Sequence, residues 1–213
     1  MSNIFDYDGG IMSILNKIVD CILLGVLWLI FSIPVITIGA STTALYYTVN
    51  KVIRHDRSHI LREFWRGFKT NFGQSTIVWL ILMAVYTLVV GNCIFFFKYK
   101  TNEVMLGFNV AVLCVFTMWA LHLFPYIARF QIGTKSLMKN CVYFLVRHLL
   151  KTLILFVLLV VACLAMLTYL PFVLLSPVLY TLAATYFLEP IYFRYMSDED
   201  YEAENERNQV YRH

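Results

Sequence analysis

Apolar residues in this chain come in long blocks. Residues 76–97, 105–128, 152–170 and 172–189 are hydrophobic nearly throughout. A bilayer core about 30 Å thick takes around 20 mostly apolar residues per helical crossing. A crossing segment must also satisfy its own backbone hydrogen bonds, which leaves helices or closed barrels. Barrel strands alternate apolar and polar positions, and these blocks do not. Four transmembrane helices are therefore predicted. A short polar linker at residues 98–103 joins the first pair. Leu170-Pro171 joins the second, because proline lacks an N–H and clashes with the preceding turn.

Residues 18–53 admit two readings. They make one span over 18–38 followed by an exposed segment, or two short spans that turn at Ser32-Ile33-Pro34 and return through 44–52. Charge separates the two. Cytoplasmic flanks carry the excess of Lys and Arg. Residues 51–69 hold Lys51, Arg54, Arg57, Arg62, Arg66 and Lys69, and residues 129–151 hold Arg129, Lys135, Lys139, Arg147 and Lys151. An even number of crossings separates these runs, so both sit inside. With the N-terminus inside as well, the first region crosses twice. The expectation is an all-α polytopic bundle of about six spans with both termini cytoplasmic. Spans of about 16 residues reach only about 24 Å, so the first hairpin is short or re-entrant.

Composition supports the bilayer. The chain is 60% hydrophobic and 14% charged, against roughly 45–50% and about 25% in soluble domains. One transmembrane domain, residues 1–195, and a polar acidic cytoplasmic tail, residues 196–213, are expected. In the tail, Ser197 with Asp200 resembles a capping box. The net charge of +4 lies in basic runs beside membrane spans, which points to the lipid surface and away from nucleic acid. Cys21, Cys93, Cys114, Cys141 and Cys163 form no C-x-x-C pair and read as small buried hydrophobes. No cleavable signal peptide is expected, since Asp6 and Asp8 stand where a basic run would be.

Two basic segments read as amphipathic interfacial helices. In the first, Leu61, Phe64, Trp65, Phe68 and Phe72 share one face, while Arg62, Arg66 and Lys69 share another. In the second, Lys135, Lys139, Arg147 and Lys151 recur at multiples of four beside Leu137, Cys141, Val142, Leu145 and Leu149. These seven cations are the candidate membrane-surface or partner contacts. Each segment precedes a transmembrane hairpin, an order suggestive of an internal repeat.

Pro34, Thr37, Gly39, Ser41 and Thr42 interrupt the first apolar region. Such a break exposes backbone and can line a polar site, or it makes a tight turn followed by small-residue packing. Intramembrane polar residues are costly and suggest function, which adds Asn92, Asn109, His122 and Glu189 as candidates. Glu189 lies where Arg129 or Arg194 can pair with it. Asp20 suits a helix N-terminus. His55 and His59 have i, i+4 spacing but no further ligands, so no metal site is expected. No P-loop, G-x-S-x-G, H-E-x-x-H or carboxylate pair is present. No enzyme activity and no cofactor are expected.

Asn16 with Asp20, Leu27-Trp28, the stretch from Ser32 to Ser41, Ala44-Leu45-Tyr46, the aromatics from Phe64 to Phe72, and Phe124-Pro125-Tyr126 with Arg129-Phe130 together resemble the YesL-like family, a domain-of-unknown-function family (624) of bacterial membrane proteins. The resemblance implies a cell-membrane protein whose genes lie beside those for carbohydrate uptake and polysaccharide breakdown. It implies no catalytic residues. The leading expectation is an accessory or regulatory component of carbohydrate uptake, with ABC-transporter or signalling membrane proteins as partners. The alternative is a small transporter or channel with its site in the broken first hairpin.

Overall fold

The computed structural model describes residues 5–53, 59–99, 103–130, 132–169 and 171–196. Helix α1 spans Phe5–Ser32. A 3-10 turn at Val35–Thr37 leads into α2, Ile38–Thr48, which runs on into a π turn at Val49–Ile53. Then follow α3 (Ile60–Tyr99), α4 (Glu103–Ala120), α5 (Leu123–Arg129), α6 (Thr134–Arg147), α7 (Leu149–Thr168) and α8 (Phe172–Arg194). All four expected apolar blocks are helical. The stretches Ile60–Tyr99, Glu103–Arg129, Leu149–Thr168 and Phe172–Arg194 are long and apolar enough to cross a membrane. The tail residues 197–213, with the expected capping box, lie outside the described residues.

The first region folds as a hairpin, and its turn falls at Ile33-Pro34. Proline fixes the chain there because it cannot donate the next helical hydrogen bond. The turn is apolar and exposed at Ile33, Val35 and Ile36. Helix α2 is the most enclosed element. Its Gly39, Ala40, Ser41, Thr43, Ala44, Leu45, Tyr46 and Thr48 are all buried. With small residues along its length, its backbone comes close to its neighbours. A Cβ on Gly39 would lie 2.6 Å from the Trp79 Cβ and 2.7 Å from the Ser75 carbonyl oxygen, and one on Gly67 would lie 2.9 Å from the Tyr47 ring. Lys51 reaches Glu63 at 2.7 Å. These contacts set α2 antiparallel to α3 along residues 63–79. Helix α2 and its π turn extend only about 24 Å at 1.5 Å per residue, short of a bilayer core.

The first basic segment is not a separate interfacial helix. Residues 60–99 form one 40-residue helix, about 60 Å long and roughly twice the thickness of a bilayer core. Charge changes sharply near residue 75, yet no proline interrupts the backbone. The aromatic face also divides. Phe64 and Phe68 are buried with ring centroids 5.5 Å and 4.9 Å from Phe31, whereas Leu61, Trp65 and Phe72 remain exposed. The second basic segment, α6, is a distinct 14-residue helix. Its buried face is Leu137, Cys141 and Phe144, while Val142 and Leu149 face outward, away from the stripe expected of them.

The span over residues 103–129 breaks at Leu121-His122. Pro125 cannot donate to the carbonyl of residue 121 and crowds it. The His122 N–H accordingly turns to the Trp119 carbonyl at 3.2 Å. This break places α5 against α2 and α6, where one core forms from Tyr46, Leu123, Ile127, Leu137, Cys141, Phe144, Leu188 and Tyr192. A second core joins Leu24, Ala40, Leu45, Phe64 and Val178.

Candidate functional site

The hydroxyls of Thr37, Ser41, Thr42 and Thr43 hold the first hairpin together, while the buried Ser32 Oγ at its turn has no hydrogen-bond partner among the described residues. Thr37 Oγ1 donates to the Phe31 or Pro34 carbonyl, each at 2.7 Å. Ser41 Oγ donates to the Trp28 carbonyl at 3.0 Å, and the Trp28 indole donates to Thr42 Oγ1 at 3.3 Å. Thr43 and Ser75 share a buried hydrogen bond of 2.9 Å. The Trp79 indole donates to the Val35 carbonyl at 2.7 Å. The Pro34, Thr37, Gly39, Ser41 and Thr42 set thus serves the turn and close packing.

Of the two buried carboxylates among the described residues, Glu63 binds Lys51 beside the hairpin and Glu189 lies elsewhere. Glu189 of α8 is fully buried. Its Oε2 lies 3.5 Å from Arg129 Nε at the end of α5, and its Oε1 accepts a hydrogen bond of 3.1 Å from the Tyr46 hydroxyl of α2. Sequence position offered Arg129 or Arg194 as the partner of Glu189; the structure pairs it with Arg129 and adds Tyr46, which the sequence reading missed. The Arg129 guanidinium also lies 4.8 Å from the centre of the Phe193 ring. Tyr192 and Tyr126 pack edge to face at 5.7 Å, and Asn140 of α6 donates to the Tyr126 hydroxyl at 3.0 Å. Three elements distant in sequence, α2, α5 and α8, meet around one carboxylate. A carboxylate removed from water needs such partners, since an isolated buried charge is very costly.

His122 is buried and packs over Phe144. Its Nε2 lies 2.9 Å from Thr152 Oγ1, which itself donates to the His148 carbonyl at 3.1 Å. A threonine hydroxyl has one proton. With that proton on the carbonyl, His122 Nε2–H is the donor. His122 Nδ1 has no hydrogen-bond partner among the described residues. Asn109 is half-buried and turns its amide back to the Met105 carbonyl at 2.9 Å, far along α4 from His122. Asn92 is exposed. His59 is exposed, and His55 lies outside the described residues. Burial pushes the Cys141 thiol up to about 12, so it stays protonated and acts as a core residue.

Arg62, Arg66, Lys69, Lys135, Lys139 and Arg147 are exposed, and Lys151 is half-buried. The structure does not join them into one patch: the first three lie on α3, the others on α6 and at the start of α7. Lys51, within the first basic run, instead binds Glu63 and lies 5.4 Å from the Tyr47 ring centre. Glu63 is the one acid between Lys51 and Lys69 apart from Asp56, the signal that would have marked this pair. An open groove between α4 and α6 is lined only by Ala111, Val112, Val115, Phe116, Trp119, Val142 and Leu145, a surface suited to lipid.

Residues 21–93 of the 213 match the family described as "Protein of unknown function, DUF624". The matched stretch covers most of the first hairpin and α3, where the YesL-like resemblance has its most specific residues. No curated protein and no solved structure matches the chain.

Proposed function

We propose that the protein is a non-catalytic accessory or regulatory component of the bacterial cell membrane, docking a membrane partner through the N-terminal, cytoplasmic part of α3. The observation that supports this reading is the unbroken 40-residue length of α3. When its apolar part crosses, the preceding turns stand beyond the hydrocarbon core. They carry Leu61 (58% exposed) and Trp65 (54%) beside Arg62, Arg66 and Lys69. An exposed tryptophan flanked by arginines supplies the residue types enriched among binding hot spots. The link to carbohydrate uptake rests on the YesL-like resemblance alone. The transporter alternative has less support, because the hydroxyls of Thr37, Ser41, Thr42 and Thr43 are occupied by the packing of the hairpin itself.

Crosslinking and mass spectrometry of the tagged protein in its native membrane tests this reading. Wild-type protein should recover subunits of an uptake or signalling complex. R62E/R66E/K69E should lose that recovery while inserting normally. Recovery of the protein alone, or full recovery by the triple variant, would remove the proposed role.

The topology we infer has four crossings and a first hairpin that enters and leaves from the same side, with both termini cytoplasmic. The short α2, whose register along residues 63–79 brings the exposed apolar turn at Ile33-Pro34 only to the start of the apolar part of α3, favours a shallow re-entrant hairpin over two full spans. Because the hairpin returns, the sidedness of the termini is the same in either case. In a background without native cysteines, T101C should react with an impermeant maleimide in intact cells, while S2C, S58C and K135C should react only after lysis. Reaction of S2C but not S58C in intact cells would mean that the first region crosses once.

A further inference from the structure

We propose that the corner where α7 begins and α8 ends binds the phosphate headgroup of one anionic phospholipid. Helices α7 and α8 form an antiparallel hairpin, so the start of one span and the end of the other reach the same membrane surface. Tyr195, just past α8, closes the corner. Its ring centre lies 5.9 Å from those of His148 and Tyr143 and 5.4 Å from that of Phe144. This packing brings the end of α8, with Arg194 next to Tyr195 in the chain, to the same corner as Arg147 and Lys151 on either side of His148. The Arg147 guanidinium lies 5.8 Å from the Tyr143 ring centre. Burial first, then the nearby Lys151, Arg147 and Arg194, holds His148 below the usual histidine range, so His148 is neutral at pH 7 and leaves the three cations to face an anion.

The surroundings specify a lipid rather than a soluble anion. Val146 is 70% exposed and Leu150 77% exposed, and these flank the cations with apolar surface at the level where a span begins. A headgroup phosphate there meets the cations while its acyl chains lie along the outward faces of α7. Cations beside the membrane surface each favour anionic lipid by about a factor of five. The proposal is independent of the α3 docking surface, which lies on other residues.

Purified full-length protein in mild detergent would be titrated with phosphatidylglycerol, phosphatidylcholine or inorganic phosphate, and the adducts counted by native mass spectrometry. Phosphatidylglycerol should fill one site before further adducts accumulate, with about a hundredfold preference over phosphatidylcholine from the three cations together. R147Q/K151Q/R194Q should weaken that first adduct by at least about tenfold, and R147Q alone by about fivefold. K135Q/K139Q, which removes charge from α6 outside the corner, should leave it unchanged. The single variant replaces an exposed residue and keeps the test open if the triple variant fails to fold. Equal losses in the corner and control variants would overturn the proposal in favour of diffuse surface charge. Absence of lipid preference would also overturn it, as would displacement of the lipid by millimolar inorganic phosphate.

Discussion

Replacing Glu189 with leucine is expected to destabilise the protein by about 3–5 kcal/mol, the cost of leaving a buried charge without its partner. Glu189 is fully enclosed, with Arg129 at 3.5 Å and the Tyr46 hydroxyl at 3.1 Å. E189L strands the guanidinium, whose side chain is only 12% exposed. R129M strands the carboxylate and should cost a similar amount. The double variant R129M/E189L should recover most of the loss, because removing both charges also removes their desolvation penalty. Y46F should cost about 1.5–3 kcal/mol, the range for a hydrogen bond to a charged group. Thermal unfolding of the four variants in one detergent reads the comparison. Equal destabilisation of the double variant and the singles would show that shape, and not charge pairing, governs this junction.

Gly25 should be the least replaceable glycine in the described helices. A Cβ there would sit 2.1 Å from the backbone oxygen of Leu174, so α1 and α8 cross backbone to backbone. No flexible side chain can yield at that point. G25A is expected to cost about 3 kcal/mol, the upper part of the range for overpacking, and G25V more. Gly73 and Gly91 offer the opposite result. Both lie within α3, and a Cβ added at either would meet nothing within 4 Å. Glycine inside a helix is destabilising relative to alanine. G73A and G91A should raise stability by about 0.5–1 kcal/mol each. Thermal midpoints of G25A, G73A and G91A under one condition decide the matter. Destabilisation of similar size in all three would remove the close crossing as the explanation.

The apolar blocks were legible because a bilayer imposes length and composition together, and both are visible in one dimension. The turn at Pro34 and the need of Glu189 for an arginine partner were legible because a proline and a buried carboxylate each leave few structural options, though Arg129 and Arg194 fitted that need equally in sequence. The continuity of α3 was misread because charge changes near residue 75 while the backbone does not. Between Ile60 and Tyr99 there is no proline to end a helix, and that absence was the better guide. The hydroxyls of Thr37, Ser41 and Thr42 fit a polar site and a packed turn equally well in sequence, and only the distances separate the two. Tyr46 was out of reach because its partner lies 143 residues away, beyond any periodicity.

That separation also bears on how the protein is made. The Tyr46 hydroxyl meets its carboxylate only after the last helix has been synthesised. At ordinary translation rates, 143 residues take roughly 7 to 30 s to add. Throughout that interval α2 is held without its acidic partner, and the end of α5 waits for the last 60 residues of it. The N-terminal hairpin therefore completes its burial last, although it is synthesised first. A chain cut short before α8 would retain Arg129 with no Glu189 to receive it, a state that membrane quality control can recognise by its stranded charge.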